Sequence, residues 1–209
     1  MRSTYCNNQT FSPEYCKPVL SVRQQLEDGI RFFSRKYPTM RYLAYFQSFS
    51  NTYAPLDVLR ERYEEALAHP EVDGLVIGTR PDCVDEEKLD YLAELAREKY
   101  VAVEYGIESV YDATLRAVNR GHDFRVAERA VRMTAERGLH CGAHFILGLP
   151  GETEDMILEG VERINSLKLT TVKFHQLQLF RRTAMAEEYR QHPERFRFWE
   201  VEEYIDLFR

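Results

Sequence analysis

Gly74-Leu75-Val76-Ile77-Gly78 decides the class of this chain. Three aliphatic residues without polar alternation, closed at both ends by glycine, read as a short strand of a parallel sheet, covered on both faces. Upstream, Leu56, Leu59, Tyr63, Ala66 and Leu67 fall at helical spacing and stop near His69-Pro70. Downstream, Leu89, Leu92, Leu95 and Ala96 form a second apolar stripe, opened by Asp85 with acidic residues in its first turn. The alternation continues in both directions. Arg41–Gln47, Tyr100–Tyr105, Cys141–Leu147 and Thr171–Gln178 read as further strands, rich in β-branched and aromatic residues. Phe124, Ala127, Ala130, Val131 and Thr134 predict a helix closed by Gly138, and Thr153 is a good N-cap for another carrying Met156, Ile157, Val161, Ile164 and Leu167. Val22–Phe33 predicts a helix ahead of all of these, weakly interrupted by Gly29. Strands and helices that alternate with a spacing of about thirty residues imply parallel strands joined by right-handed crossovers. Five strands are fewer than the eight of a closed barrel, so the class is α/β with either an open sheet or a partial barrel.

The 209 residues are 44% hydrophobic, 30% charged and 12% aromatic, with 10 glycines and 8 prolines. That balance excludes a disordered chain, a collagen-like repeat and a coiled coil. No apolar run approaches the roughly 20 residues of a membrane helix, and Met1-Arg2-Ser3-Thr4 lacks the apolar stretch of a signal peptide, so a cytoplasmic protein without a membrane partner is expected. Lys plus Arg total 28 against 34 Asp plus Glu, a net charge of −6, which disfavours a broad nucleic-acid surface. The four cysteines, Cys6, Cys16, Cys83 and Cys141, are too sparse for a disulfide scaffold. No linker divides residues 1–209, which read as one domain whose abrupt start and unfinished final helix (Glu202–Arg209) suggest a chain cut at both ends.

In parallel α/β architectures ligands sit at the carboxyl ends of the strands. Those exits carry Ser48, Ser50, Asn51 and Thr52, then Thr79, Arg80, Pro81, Asp82 and Cys83. Gly106, Ile107, Glu108 and Ser109 follow, then Gly148-Leu149-Pro150-Gly151-Glu152, and the last strand brings His175, Gln176 and Gln178. Arg, Asp, Glu, Asn and His gathered at strand ends predict a polar site. A self-contained zinc site is not expected. His140 and His144 share a strand face, but four residues at about 3.3 Å each hold them roughly 13 Å apart, too far for one ion. Glu104 and Glu108, four residues apart, are a weak carboxylate pair. A Gly-x-Ser-x-Gly elbow, a Walker loop and a Gly-x-Gly-x-x-Gly fingerprint are all missing from the sequence.

Four pieces together resemble the radical S-adenosylmethionine (SAM) superfamily, in its YhcC-type branch, related to the Elp-type and coproporphyrinogen-oxidase-type members. Thr4-Tyr5-Cys6-Asn7-Asn8-Gln9-Thr10-Phe11 is similar to the tail of the cluster loop. Gly78-Thr79-Arg80-Pro81-Asp82-Cys83 is similar to the exit of what would be the third strand of that barrel. Glu104-Tyr105-Gly106-Ile107-Glu108-Ser109, continuing to Asn119-Arg120-Gly121-His122, resembles the fourth unit, and His144 to Thr153 the fifth. The resemblance implies a partial (βα) barrel of parallel strands with outer helices, holding a 4Fe–4S cluster and SAM. In the family three cysteine thiolates hold three irons, SAM takes the open iron, and an electron from an external donor cleaves SAM to a 5′-deoxyadenosyl radical.

Carried over, Cys6 is the last of the three metal ligands. The middle one falls on Ser3, and the first lies upstream of residue 1, so the chain itself is expected to hold no cluster and to lack activity; Cys16 is the remaining candidate ligand. The cofactor contacts implied are Ser50, Asn51 and Thr52 for the SAM amino group, Glu108 for the ribose with Ser109 beside it as a further contact, Arg120 for the carboxylate and Gly148 beside the adenine. Glu108 as a turn acid, Arg120 as a helix-surface charge and Gly148 as a turn former are the plain alternatives. Arg80, Asp82 and His175 would face the barrel mouth as substrate contacts and suggest a polar or anionic substrate. Their alternative is a structural ion pair and a satisfied histidine. Two other readings stay open, a cluster-free barrel that binds an anionic metabolite and a non-catalytic module that binds such a metabolite or RNA. The substrate, the fate of SAM and the oligomeric state are not written in the sequence.

Overall fold

The computed structural model describes Ser3–Cys6, Cys16 and residues 19–209. Asn7–Phe11 of the first motif lie outside the described residues. Five strands, β1 (Tyr42–Phe46), β2 (Val72–Thr79), β3 (Tyr100–Glu108), β4 (His140–Leu147) and β5 (Thr171–Gln176), form one sheet in the order of the sequence. Every neighbouring pair is parallel. The helices are α1 (Val22–Ser34), α2 (Leu56–Leu67), α3 (Glu86–Leu95), α4 (Asp112–Ala117), α5 (Phe124–Glu136), α6 (Glu154–Asn165), α7 (Ala184–Gln191) and α8 (Val201–Asp206). Parallel neighbours taken in chain order with a helix between each pair make the arc of a barrel, here a partial (βα) barrel with outer helices.

A period of two sorts the strand residues into faces. Leu75 and Ile77 of β2, Val101, Val103, Tyr105 and Ile107 of β3, and Cys141, Ala143 and Phe145 of β4 form the main core with Leu59, Tyr63, Leu89, Leu92, Phe124, Ala127 and Val131 of the helices. The phenol of Tyr105 finds a partner within this core, 2.7 Å from Thr134 Oγ1. The opposite face lines the trough of the arc, with Gly78 beside Glu104, Glu104 beside Gly142, and His144 beside Lys173. The expectation that Gly74–Gly78 is covered on both faces is therefore corrected. Leu75 and Ile77 are fully buried, whereas Val76 and Gly78 face the trough half-exposed. Alternation was invisible because the trough face uses Gly74, Val76 and Gly78, which are small or aliphatic rather than polar.

Local signals set most element ends. Ser21, Asp85, Asp123 and Thr153 each accept a backbone N–H of the first helical turn, and Gly138 takes φ +70 after α5. Gly29 does not interrupt α1. The short α4 and α7 were not expected, and β3 runs three residues past its predicted end to Glu108, where its pairing with β4 shifts register. Among the described residues no helix is long and apolar enough to cross a membrane.

Beyond the strand ends lies a second, smaller cluster of Val118, Leu149, Leu177 and Met185, with Tyr5, Ile146, Leu179 and Phe196 against it. It ties the Ser3–Cys6 turn to the sheet: Thr4 N donates to Val118 O at 3.0 Å, and Met185 N donates to Thr4 O at 3.1 Å. The turn that carries Cys6 is thereby fixed at the carboxyl end of the barrel.

Candidate functional site

The site is built around the last residue of β3. Glu108 has φ +76, a left-handed conformation that costs a non-glycine residue about 1–2 kcal/mol and persists only where its surroundings hold it. Arg120 provides that hold. Its guanidinium lies 3.3 Å from Glu108 Oε1, its Nε donates to Gly106 O at 3.1 Å with Nη2 donating to the same oxygen, and its Nη1 lies 3.5 Å from Ser3 Oγ. A Cβ at 106 would stand 2.5 Å from Arg120 Nη2 and 2.6 Å from Glu108 Oε1, so a side chain there would have to displace this pair. Arg120 reaches this point from the turn after α4, where its own N–H donates to Leu115 O at 2.8 Å. Burial raises the Glu108 pKa above the ordinary carboxylate value, and the charges of Arg120 and His144 offset this only in part. Beside the pair, the buried Tyr5 hydroxyl lies against Glu108 and Ser3, and His122 Nε2, from the same turn as Arg120, is buried with no hydrogen-bond partner.

A second polar group occupies the middle of the trough. Glu104 accepts from Tyr45 Oη at 2.7 Å, from His144 Nε2 at 2.9 Å and from Lys173 Nζ at 2.9 and 3.0 Å, which joins β1, β3, β4 and β5. Burial alone would raise its pKa, but His144, Tyr45 and Lys173 together outweigh that and lower it to about 2. A Cβ at residue 142 would lie 3.0 Å from Glu104 Cγ, so Gly142 leaves this carboxylate its room. His175 Nε2 lies 3.1 Å from His144 Nδ1, with the two rings stacked 5.1 Å apart.

Residues 1–164 match the sequence model of the Radical SAM superfamily. The chain belongs to the radical SAM superfamily. It is 38% identical over 183 residues to the uncharacterized protein YtqA of Bacillus subtilis, which covers 88% of this chain and 56% of that protein. It is 37% identical over 185 residues to protein YhcC of Escherichia coli, covering 88% of this chain and 59% of the relative. These relatives place it in the YhcC-type branch, and the chain spans under two thirds of their length. Among solved structures, the N-terminally deleted Elp3 of Methanocaldococcus infernus superposes with a TM-score of 0.71 at 19% identity, over 90% of this chain and 47% of that one. The coproporphyrinogen III oxidase of Escherichia coli, described as a radical SAM enzyme, does so with a TM-score of 0.60 at 14% identity, over 90% of this chain and 44% of that one. Both likenesses concern the partial barrel.

The family implies SAM and a 4Fe–4S cluster in the intact radical SAM protein, and the two groups fare differently here. A cluster does not fit the described residues: no group of three His, Cys, Asp or Glu side chains among them is arranged to hold a metal, and Ser3, a hard hydroxyl bonded toward Arg120, stands three residues before Cys6. SAM fits better. Glu108 and Arg120 place an acceptor and a charged donor side by side at the strand ends, next to the buried Tyr5 hydroxyl and the unpartnered His122 Nε2.

The remaining expected residues divide. Cys6, Arg120 and Gly148 come to the same end of the barrel around the second apolar cluster. Gly148, at φ +88, backs onto this chain's own Arg197 and Trp199, where a Cβ would stand 2.9 Å from both. Ser109 is buried and its hydroxyl donates to Glu152 instead of facing the trough. Asn51 Nδ2 donates to Phe46 O and Gly78 O at 2.8 Å each, and Thr52 Oγ1 lies 2.7 Å from Thr79 Oγ1. Side chains of the β1 exit thus brace the loop, and its backbone is engaged as well: Asn51 N donates to Gly78 O at 3.2 Å and Tyr53 N to Ser50 O at 3.0 Å. Arg80 and Asp82 form an ion pair, Nε to Oδ1 at 2.8 Å, and remain partly exposed. His175 stands apart from that pair, with β3 and β4 between them. Sequence reasoning missed Tyr45, His144 and Lys173. Their signal was available in the period of two once β3, β4 and β5 were set in parallel register, which aligns Glu104, His144 and Lys173 on one face.

Proposed function

We propose that this protein is a radical SAM enzyme that seats SAM at the carboxyl ends of β1 to β4 and acts on a substrate in the trough. The observation that carries the reading is the Arg120–Glu108 pair locked across Gly106 beside the Cys6 turn. Arg120 would bind the SAM carboxylate, Glu108 the ribose hydroxyls, the backbone of Ser50–Thr52 the amino group, and the backbone at Gly148 would pass near the adenine. When bound and reduced by one electron, SAM supplies hydrogen-abstracting radical chemistry. The chain's own part is to orient the adenosyl group toward the trough and to exclude water with the Val118, Leu149, Leu177 and Met185 cluster. An external one-electron donor and an unnamed substrate are the partners. With Ser3 rather than a thiol three residues before Cys6, and no group of three metal-holding side chains among the described residues, the 209 residues alone would not keep a cluster and would be inactive.

The test is anaerobic reconstitution with iron and sulfide of two proteins. One is this chain, and the other carries Ser3→Cys together with the cysteine-bearing upstream loop of a curated relative. Iron–sulfur absorbance and SAM cleavage in the second alone are expected. Equal iron loading in both would overturn the assignment of ligands, and colour in neither would favour a cluster-free barrel.

A further inference from the structure

The polar group at the centre of the trough belongs to none of the SAM contacts, yet it is built from four strands and faces open space. Glu104 cannot itself be a base. Its oxygens are occupied by Tyr45, His144 and Lys173, and its lowered pKa of about 2 keeps it ionised. That saturation fixes the protons further along. An ionised Glu104 has no proton to give, so His144 Nε2 must carry N–H and donate to it across 2.9 Å. In a neutral imidazole the other nitrogen is then an acceptor, and the group facing His144 Nδ1, at 3.1 Å, is His175 Nε2, which must be the donor. What remains is His175 Nδ1, an open acceptor on an exposed residue, with no donor to it among the described residues.

We propose that Glu104, His144 and His175 form a proton relay whose open end, His175 Nδ1, takes a proton from an acidic O–H or N–H group of the substrate. The inference rests on the proposed function only in placing the substrate in the trough; the relay needs no cofactor. In the step, the substrate X–H bond breaks and X keeps the electron pair. A new N–H bond forms at His175 Nδ1, and the proton on His175 Nε2 passes to His144 Nδ1. The positive charge comes to rest on His144, which faces the Glu104 carboxylate. Lys173, whose side chain is 45% exposed, supplies positive charge beside the anion left behind. The substrate class is therefore a neutral weak acid, such as a phenol, enol or imide, whose anion is the reactive form. His175 is the group that touches substrate, and Glu104 and His144 are positioning residues.

The charged and titratable groups facing the pair of rings are Glu104 on β3, Tyr45 on β1, Lys173 on β5, and Glu108 at the trough mouth. Burial, followed by the charges of His144 and Lys173, lowers the His175 pKa, which keeps that ring neutral and ready to accept at neutral pH.

The experiment is a pH titration of the chain by imidazole ¹⁵N NMR, with protons as the probe. Wild type should show both rings as Nε2–H tautomers and take up one shared proton as the pH falls. Glu104→Gln should lower the midpoint of the pair by about one pH unit, a tenfold loss of proton affinity. Lys173→Met should raise it, because a repelling charge is gone and Glu104 is freed. The opposite signs separate the relay from general damage, and the wild-type tautomers stand even if Glu104→Gln fails to fold. Two independent one-proton titrations, an Nδ1–H tautomer at His144, or midpoints that move the same way in both variants would overturn the proposal. None of these readings depends on cluster or SAM, so they fail separately from the proposed function.

Discussion

Removing the guanidinium of Arg120 would strand several partners at once, since it serves Gly106 O, Glu108 and Ser3 Oγ. Glu108 would then be a buried acid with no counter-charge at a strained backbone position. Breaking such a pair from one side typically costs about 3–5 kcal/mol. Arg120→Ala is therefore expected to lower stability by about 3 kcal/mol in urea unfolding. Glu108→Gln should cost under about 1 kcal/mol, because burial already raises the proton affinity of that carboxyl and a neutral amide resembles its protonated form. Equal losses from the two substitutions would mean that the ionised pair, rather than the arginine's grip on Gly106 O, holds the strand end. The same asymmetry separates stability from recognition. In a cluster-bearing protein Glu108→Gln keeps the fold and would weaken SAM, since an amide accepts from one hydroxyl where a carboxylate accepts from two.

Among the elements, α6 carries more than its own packing. Thr153 caps it, accepting from Met156 N at 3.2 Å, and the next residue, Glu154, reaches out to the chain that follows α7. Glu154 Oε1 accepts from Trp199 Nε1 at 2.8 Å and from Arg197 Nη2 at 2.9 Å, so one carboxylate pins the segment that closes over Gly148. Trp199 is the protein's single tryptophan and is 6% exposed, so its emission reports this contact without interference. Glu154→Ala should shift that emission to longer wavelength and speed amide exchange around residues 196–199, while the backbone of β2 and β3 stays protected. Unchanged emission would show that stacking on Gly148, not the carboxylate, holds the indole. The cap at Thr153 was legible in sequence because capping depends on residues three apart. The tie from Glu154 to Trp199 was not, because it joins residues 45 positions apart through a turn with no periodic signal. The same distinction runs through the fold. Strands and long helices follow from local period and caps, whereas α7 depends on the second apolar cluster through Met185, and α4 and the extension of β3 on the main core through Leu115 and Ile107.

At the scale of the whole molecule, the sheet collects polar residues on its trough face, and each carboxylate there answers to burial differently. Glu108 was readable from the strand exits, which parallel topology brings to one end, whereas Arg120 and the Cys6 turn came only from the resemblance to the family. The Glu104 group was not, because its members are unremarkable singly and meet only when four strands are in register. Acid unfolding distinguishes the two kinds of carboxylate. Glu104 titrates at about 2 in the folded protein against an ordinary value of 4.5, so its stabilisation is complete above pH 4.5 and is lost as pH falls toward 2. Its worth is about 2 kcal/mol once screening through the open trough is allowed for. Burial raises Glu108 and Glu152 instead, and for them the sign reverses: they favour the folded state at low pH and oppose it as pH rises through their folded values. Glu104→Gln should therefore lower stability at pH 7 and flatten the acid limb between pH 4.5 and 2. Glu152→Gln, which keeps an acceptor for Ser109, should raise stability at pH 7 and leave the limb between pH 4.5 and 2 unchanged, its effect falling above pH 4.5. Parallel stability–pH curves for the two variants would mean that the trough is too open to water for its ionisation to be coupled to folding.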